Sequence, residues 1–201
     1  MIIELLKKNL VPRSILIYLK KNRLVRLALY RSLYKKNYKN FFNLNLDRNS
    51  TVIDLGANVG DISQCLYDLY GCNLHCYEPN IYAYEILKKR FIKKKKILVH
   101  NKAISKKNTK SKLYYHSLNY REPIKYSTGS SLSKHKDNIN KETYQFVKTI
   151  SIKDLLNKFN IIDLIKIDIE GYEYEILPFI LKNKNKIKKV ICELHGNPAK
   201  R

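Results

Sequence analysis

The chain has 201 residues and a formal net charge of +23, from 40 Lys and Arg against 17 Asp and Glu. That length suffices for one domain with a proper core. It holds no run of about 18 apolar residues, so no transmembrane helix is expected. The charge has two readings. One is a polyanionic partner: nucleic acid, anionic lipid or an acidic glycan. The other is compositional drift, because Lys, Asn, Ile and Tyr are over-used together and the lysines spread along the chain. Under the second reading, the basic runs Lys88–Lys96, Lys102–Lys112 and Lys182–Lys189 are solvated helix ends and loops.

Residues 1–46 read as a basic helical segment, with eleven Lys and Arg facing the single acid Glu4. Leu5, Leu6 and Leu10 form an apolar stripe, and Pro12 interrupts it. Two roles fit: helices packed on the domain, or a peripheral contact with anionic membrane. Ile2 and Ile3 precede the lysines and no small-residue cleavage site follows, which argues against a signal peptide and for a cytoplasmic location. Cys65, Cys72, Cys76 and Cys192 lack C-x-x-C spacing and read as free thiols in a reducing compartment.

The second segment, 47–201, opens on Thr51–Leu55, an apolar strand. A turn follows with Gly56, Asn58 and Gly60, then helical spacing at Ile62, Cys65, Leu66 and Leu69. Strand, glycine turn and helix form half of a βαβ unit, whose turn lets a ligand approach the backbone. Asn58 and Asp61 stand where a dinucleotide fingerprint needs its second and third glycines. No Lys-Ser/Thr follows the glycines, which excludes a P-loop. Asp54 at the strand end suits a ligand bearing a positive group.

Leu74–Tyr77 is the second strand, stopped by Pro79. Glu78 follows the glycine turn by about 20 residues, the spacing of a carboxylate that binds ribose hydroxyls. Ile81–Phe91 reads as a helix and Ile97–His100 as the third strand, ending at Asn101, Lys102 and Ala103. Residues 105–149 read as an insertion or lid, with short strands at Leu113–Tyr115 and Tyr144–Ile150. Ser151 and Asp154 form a capping box that opens a helix over Lys153–Phe159. Ile161–Asp168 is the most apolar strand. Tyr172–Leu181 is helical, bent or ended by Pro178. Lys189–Leu194 is the fifth strand.

Alternation of apolar strands with helices predicts a mostly parallel α/β sheet covered on both faces. Right-handed crossovers bring the strand C-termini to one edge. Asp54, Glu78, Asp168, Glu170, Glu193 and His195 converge there. Lys166, inside a buried strand, needs a carboxylate partner, and Asp54 or Glu193 could supply it. A functional lysine with its pKa lowered by burial is the alternative.

Several stretches together resemble the FkbM family of S-adenosylmethionine-dependent methyltransferases. They are V-I-D-L-G-A-N-V-G-D at 52–61, Y-E-P-N at 77–80, N-K-A-I-S at 101–105, D-L-I-K-I-D-I-E-G-Y-E at 163–173 and C-E-L-H-G at 192–196. The resemblance implies a class I, Rossmann-like methyltransferase fold and O-methyl transfer, often to sugar hydroxyls of glycans or natural products. Class I sheets finish with an antiparallel hairpin, which is expected to be shortened or missing here because Arg201 follows His195 so closely.

On this resemblance, Gly56–Gly60 would hold the cofactor's amino-acid end, with Asp54 nearby. Glu78 would take the ribose, and the adenine would lie by Asn101 and Ala103. Asp168 and Glu170 would face the transferred methyl. With Glu193 and His195 they would form a general base, or Asp168 and Glu193 would hold Mg²⁺. The competing activities are ribose methylation of RNA and a cofactor-fold remnant serving as a binding module. D-I-E-G stands where base N-methylation shows N-P-P-Y, which argues against that chemistry.

Overall fold

A computed structural model describes residue 41, residues 44–134 and residues 136–195. The basic segment expected over 1–46 lies almost wholly outside these residues. Among the described residues, no helix is long and apolar enough to cross a membrane.

The elements run β1 (Thr51–Leu55), α1 (Asp61–Tyr70), β2 (Asn73–Tyr77), α2 (Ile81–Phe91), β3 (Ile97–His100), β4 (Ala103–Ser105) and β5 (Lys110–His116). After a 3-10 turn at Ser127–Gly129 come β6 (Ile139–Ser151), α3 (Ile152–Leu156), β7 (Leu164–Ile167), α4 (Glu173–Lys182) and β8 (Val190–Cys192). Five strands form a sheet in the order β3-β2-β1-β7-β8. Every pairing in it is parallel. This is the Rossmann-like class I arrangement.

Alternation along the strands splits the core into two layers. Val52, Leu74 and Leu164 face α1 and α2, packing with Leu66, Leu69, Leu87 and Phe91. Ile53, Leu55, Ile165 and Ile167 face the other way, onto Leu155 and Leu156 of α3 and Ile176 and Ile180 of α4. Burying each such side chain contributes about 1.5–3 kcal/mol relative to exposing it. A central strand buried on both faces shows no period-two pattern in its sequence. Cys65, Cys72 and Cys76 are buried free thiols. Burial pushes the Cys65 and Cys72 thiols up to about 12, so they stay protonated.

Several boundaries differ from expectation. Residues 105–149 hold long strands rather than short ones. β6 spans thirteen residues and pairs antiparallel with β5. With β4 they form a second sheet ordered β4-β6-β5. The first half of β6, Asn140–Gln145, is polar and largely exposed, so it carries no hydrophobic signal. The helix expected over Lys153–Phe159 spans only Ile152–Leu156, although its cap is as read: the Asp154 N–H donates to Ser151 Oγ at 3.0 Å. Pro178 sits inside α4 and does not end it.

Candidate functional site

The strand order reverses at the junction of β1 and β7. In open α/β sheets this is where ligands bind, beyond the carboxyl ends of the strands. Gly56 leaves β1 with φ +77° beside the end of β7. A Cβ on it would fall 1.8 Å from the Asp168 carbonyl oxygen, so only glycine fits. The Gly56 and Ala57 N–H groups both donate to Tyr77 O, at 2.9 and 3.0 Å, fastening the turn to β2. Gly60, at φ +88°, precedes α1, and a Cβ there would strike Leu87 and Phe91. That packing requires a glycine here.

Glu78 directly follows β2 and is buried, with both oxygens aligned by backbone donors. Asn58 N–H donates to Oε2 and Asn80 N–H to Oε1, each at 2.8 Å. Burial pushes this carboxyl up to about 7, against the pull of those N–H groups and Lys166. Glu78 lines a cleft with Gly56, Asn58, Ala103, Asp168 and Glu170. Asn101 stands behind it, donating from Nδ2 to the Glu78 and Pro79 carbonyls at 2.9 and 3.1 Å.

The segment 117–134 lies over this cleft. Asn58 Nδ2 donates to Ser127 Oγ at 2.8 Å and Asn80 Nδ2 to Ser130 Oγ at 2.9 Å. Ser131 Oγ donates to the Glu170 carbonyl at 2.6 Å, and Lys136 pairs with the Glu170 carboxylate. Glu170 itself takes φ +57°, a conformation costing a non-glycine residue about 1–3 kcal/mol. With this segment in place the cleft keeps only about 70 Å³ of open space.

An acid-rich cluster with one imidazole adjoins the cleft. His195 Nε2 lies 3.9 Å from Asp168, 3.6 Å from Glu170 and 3.6 Å from Glu193. His195 Nδ1 lies 3.0 Å from Oε1 of Glu173, whose side chain is 0% exposed. Glu173 also accepts from the Gly171 N–H at 2.9 and 3.0 Å and from the Ile169 N–H at 3.2 Å. Burial alone would push Glu173 up. The His195 and backbone hydrogen bonds more than offset this and hold it below the ordinary carboxylate value. An ionised Glu173 fixes the proton of the neutral imidazole on Nδ1 and leaves Nε2 as the basic nitrogen. The hydrogen bond to Glu173, with the charges of Glu170, Glu173 and Asp168, raises His195 above the ordinary histidine value although burial opposes it. Asp168, Glu193 and His195 each offer one ligand atom, all within 4.8 Å of one another.

Lys166 is buried behind this cluster. Its Nζ lies 3.2 Å from Asp54 and 3.4 Å from Asp168, and donates to the Gly56 carbonyl at 2.6 Å. Burial pulls its pKa down, but the two carboxylates outweigh burial and hold it above the ordinary lysine value. The partner is Asp54, and not Glu193. Asp54 is 0% exposed and also accepts from Ser63 Oγ at 2.6 Å. It braces the turn from beneath and does not line the cleft.

The structure thus gathers Gly56, Asn58, Glu78, Ala103, Asp168 and Glu170 around the cleft, with Glu193 and His195 at its edge. Asp54, Gly60 and Asn101 support it from outside. Glu173 was missed because an acid in a helix's first turn reads as a partner for the helix dipole. The serines at 127, 130 and 131, and Lys136, gave no local signal.

Residues 54–201 match the family model described as the methyltransferase FkbM domain. No curated protein matches the chain. Among solved structures, the N-terminal domain of human METTL16 in complex with SAH is 15% identical, with a TM-score of 0.40, over 88% of this chain and 56% of that one. The delta-N METTL16 MTase domain is 14% identical, with a TM-score of 0.41, over 89% and 81%. The geranyl diphosphate C-methyltransferase of Streptomyces coelicolor A3(2) is 12% identical, with a TM-score of 0.30, over 39% and 32%. The chain therefore spans about a third of the Streptomyces enzyme and just over half of the human domain. These likenesses are too slight to bear on activity.

Proposed function

Because the chain belongs to the FkbM methyltransferase family, we propose that it is an S-adenosylmethionine-dependent O-methyltransferase acting on a hydroxyl of a sugar, glycan or related small molecule. The observation that carries the O-methyl reading is the Glu173–His195 pair, whose basic Nε2 faces the cleft's acidic rim. A sugar hydroxyl is barely acidic and needs a base as it attacks.

The donor set fits the cofactor. Glu78 presents aligned carboxylate oxygens of the kind a ribose diol uses, beside a turn with no room for a Cβ at Gly56. When bound, S-adenosylmethionine supplies a methyl group already activated by its sulfonium. Gly56, Asn58 and Glu78 bind and orient it, with Ala103 by the adenine. Lys166 and Asp54 hold the turn from beneath. Asp168 and Glu170, neutralised by Lys166 and Lys136, flank the acceptor without accumulating negative charge. His195 Nε2 takes the hydroxyl proton, and Glu173 steadies the imidazolium that results. The 69% exposed Glu193 then passes the proton to water.

We assign the Asp168–Glu193–His195 cluster to proton transfer and not to Mg²⁺. Mg²⁺ prefers oxygen ligands in near-octahedral array, whereas this set includes an imidazole. Lys166 also already lies against Asp168.

The test uses methyl-tritiated S-adenosylmethionine with a glycan panel, in buffer with Mg²⁺ and again with EDTA. Base-stable methyl ethers should form under both conditions. His195→Ala should abolish them while retaining S-adenosylhomocysteine binding. No label on any glycan from a chain that binds S-adenosylhomocysteine, or activity only with Mg²⁺, would refute the reading.

A further inference from the structure

A second groove adjoins the cleft. It has a volume of about 580 Å³ and is lined by Lys106, Lys107, Lys112, Tyr114 and Tyr172, among others. Leu132 and Tyr172 line both spaces, so the groove borders the cleft that Asp168 and Glu170 line. Three lysines line it and no acid does. Lys106 is paired with Glu175 on α4. Lys107 and Lys112 have no carboxylate partner among the described residues, and neither has Lys102, which lines the cleft itself. Lysines without carboxylate partners lining a groove that borders the cleft favour an anionic ligand there.

We propose that this groove holds the acceptor and that the acceptor is an anionic sugar, bearing a phosphate, sulfate or carboxylate substituent that Lys107 and Lys112 receive while Lys102 flanks the reacting end. The sugar hydroxyl rests on the O-methyl transfer reading above. The charge rests on the groove alone.

The adjoining strand face favours a glycan over single-stranded RNA. RNA binding uses open aromatic faces on which bases stack. Here the Lys112 ammonium sits 4.0 Å from the Tyr144 ring centroid and that of Lys110 5.0 Å from the Phe146 centroid. Tyr144 meets Phe146 edge-on at 5.6 Å and Tyr114 at 6.0 Å. The rings hold lysines in place, at about 0.5–1 kcal/mol per exposed pair, more than they offer a stacking surface.

The experiment screens the full chain at physiological salt on an array of matched neutral, phosphorylated, sulfated and carboxylated glycans. Solution affinity is then measured for the best anionic member, its neutral counterpart and a decauridylate, with and without S-adenosylhomocysteine. We expect the anionic glycan to bind at least tenfold tighter than the neutral one. The double variant Lys107→Glu, Lys112→Glu should abolish that preference and leave S-adenosylhomocysteine affinity unchanged. The control Lys88→Glu, Lys89→Glu on α2, with the same change in net charge, should leave the preference intact. Equal binding of the glycan pair, or equal loss in both double variants, would overturn the proposal. So would tighter binding of decauridylate through the same lysines. Loss of S-adenosylhomocysteine binding by the wild-type chain would refute the cofactor reading, while the glycan comparison without it still decides the groove.

Discussion

Removing the Lys166 ammonium should unfold the site from beneath. Lys166→Met keeps the stem that packs in β7 but strands Asp54, which has 0% exposure and an Oδ1 with no other partner. Asp168 keeps 29% exposure and can turn to water, so the penalty falls on Asp54. Breaking a buried pair by deleting one partner costs about 3–5 kcal/mol. In a domain of this size that lowers Tm by roughly 6–20 °C. Lys166 also anchors the Gly56 carbonyl, so S-adenosylhomocysteine affinity should fall as well. Adding Asp54→Asn removes the stranded charge and should recover over half of the stability but not the affinity. Urea denaturation and calorimetry read the two effects separately. A loss below about 1 kcal/mol, the range of an exposed pair, would refute the reasoning. So would a double variant no more stable than the single one.

Other perturbations probe the cleft. Gly56→Ala should abolish S-adenosylhomocysteine binding in calorimetry, because its Cβ and the Asp168 carbonyl cannot coexist and φ +77° disfavours any side chain. Glu173→Gln should lower methyl transfer by about 10²-fold, the lower end of general-base contributions. The wild-type rate should rise as pH climbs through the raised His195 pKa, since only the neutral imidazole accepts a proton. In Glu173→Gln the pH–rate profile should show that limb at lower pH. The contribution of His195 to stability has the opposite sign. It is present below the ordinary value of 6.5 and is lost as pH rises through the raised folded value, which urea midpoints across that range would register. Glu78 ionises only near pH 7, so S-adenosylhomocysteine should bind more weakly at pH 6 than at pH 8, a difference that Glu78→Gln should remove.

The parallel sheet was legible because β1, β2 and β7 are short, largely apolar runs followed by glycine or an acid, as burial in the middle of a sheet favours. That Lys166 needs a carboxylate partner was legible, with Asp54 and Glu193 both open; the β1–β7 register, which sets Asp54 directly beside Lys166, selects Asp54. Glu173 was not legible, because its partner His195 lies 22 residues away and only the meeting of α4 with the chain after β8 joins them. The second sheet escaped notice for a different reason. The outer half of β6 is solvated, and its pairing with β5 is set by backbone hydrogen bonds that leave no apolar periodicity. The serines over the cleft act through long-range contacts such as Asn80 to Ser130, which no local pattern encodes.

Calorimetric titration of S-adenosylhomocysteine into the purified chain, alongside Glu78→Ala, decides most directly whether the cleft is a methyltransferase cofactor site. Micromolar binding of one equivalent, lost in the variant, is the predicted result. A folded wild-type chain that shows no heat of binding, or a variant that binds as tightly as wild type, would contradict it.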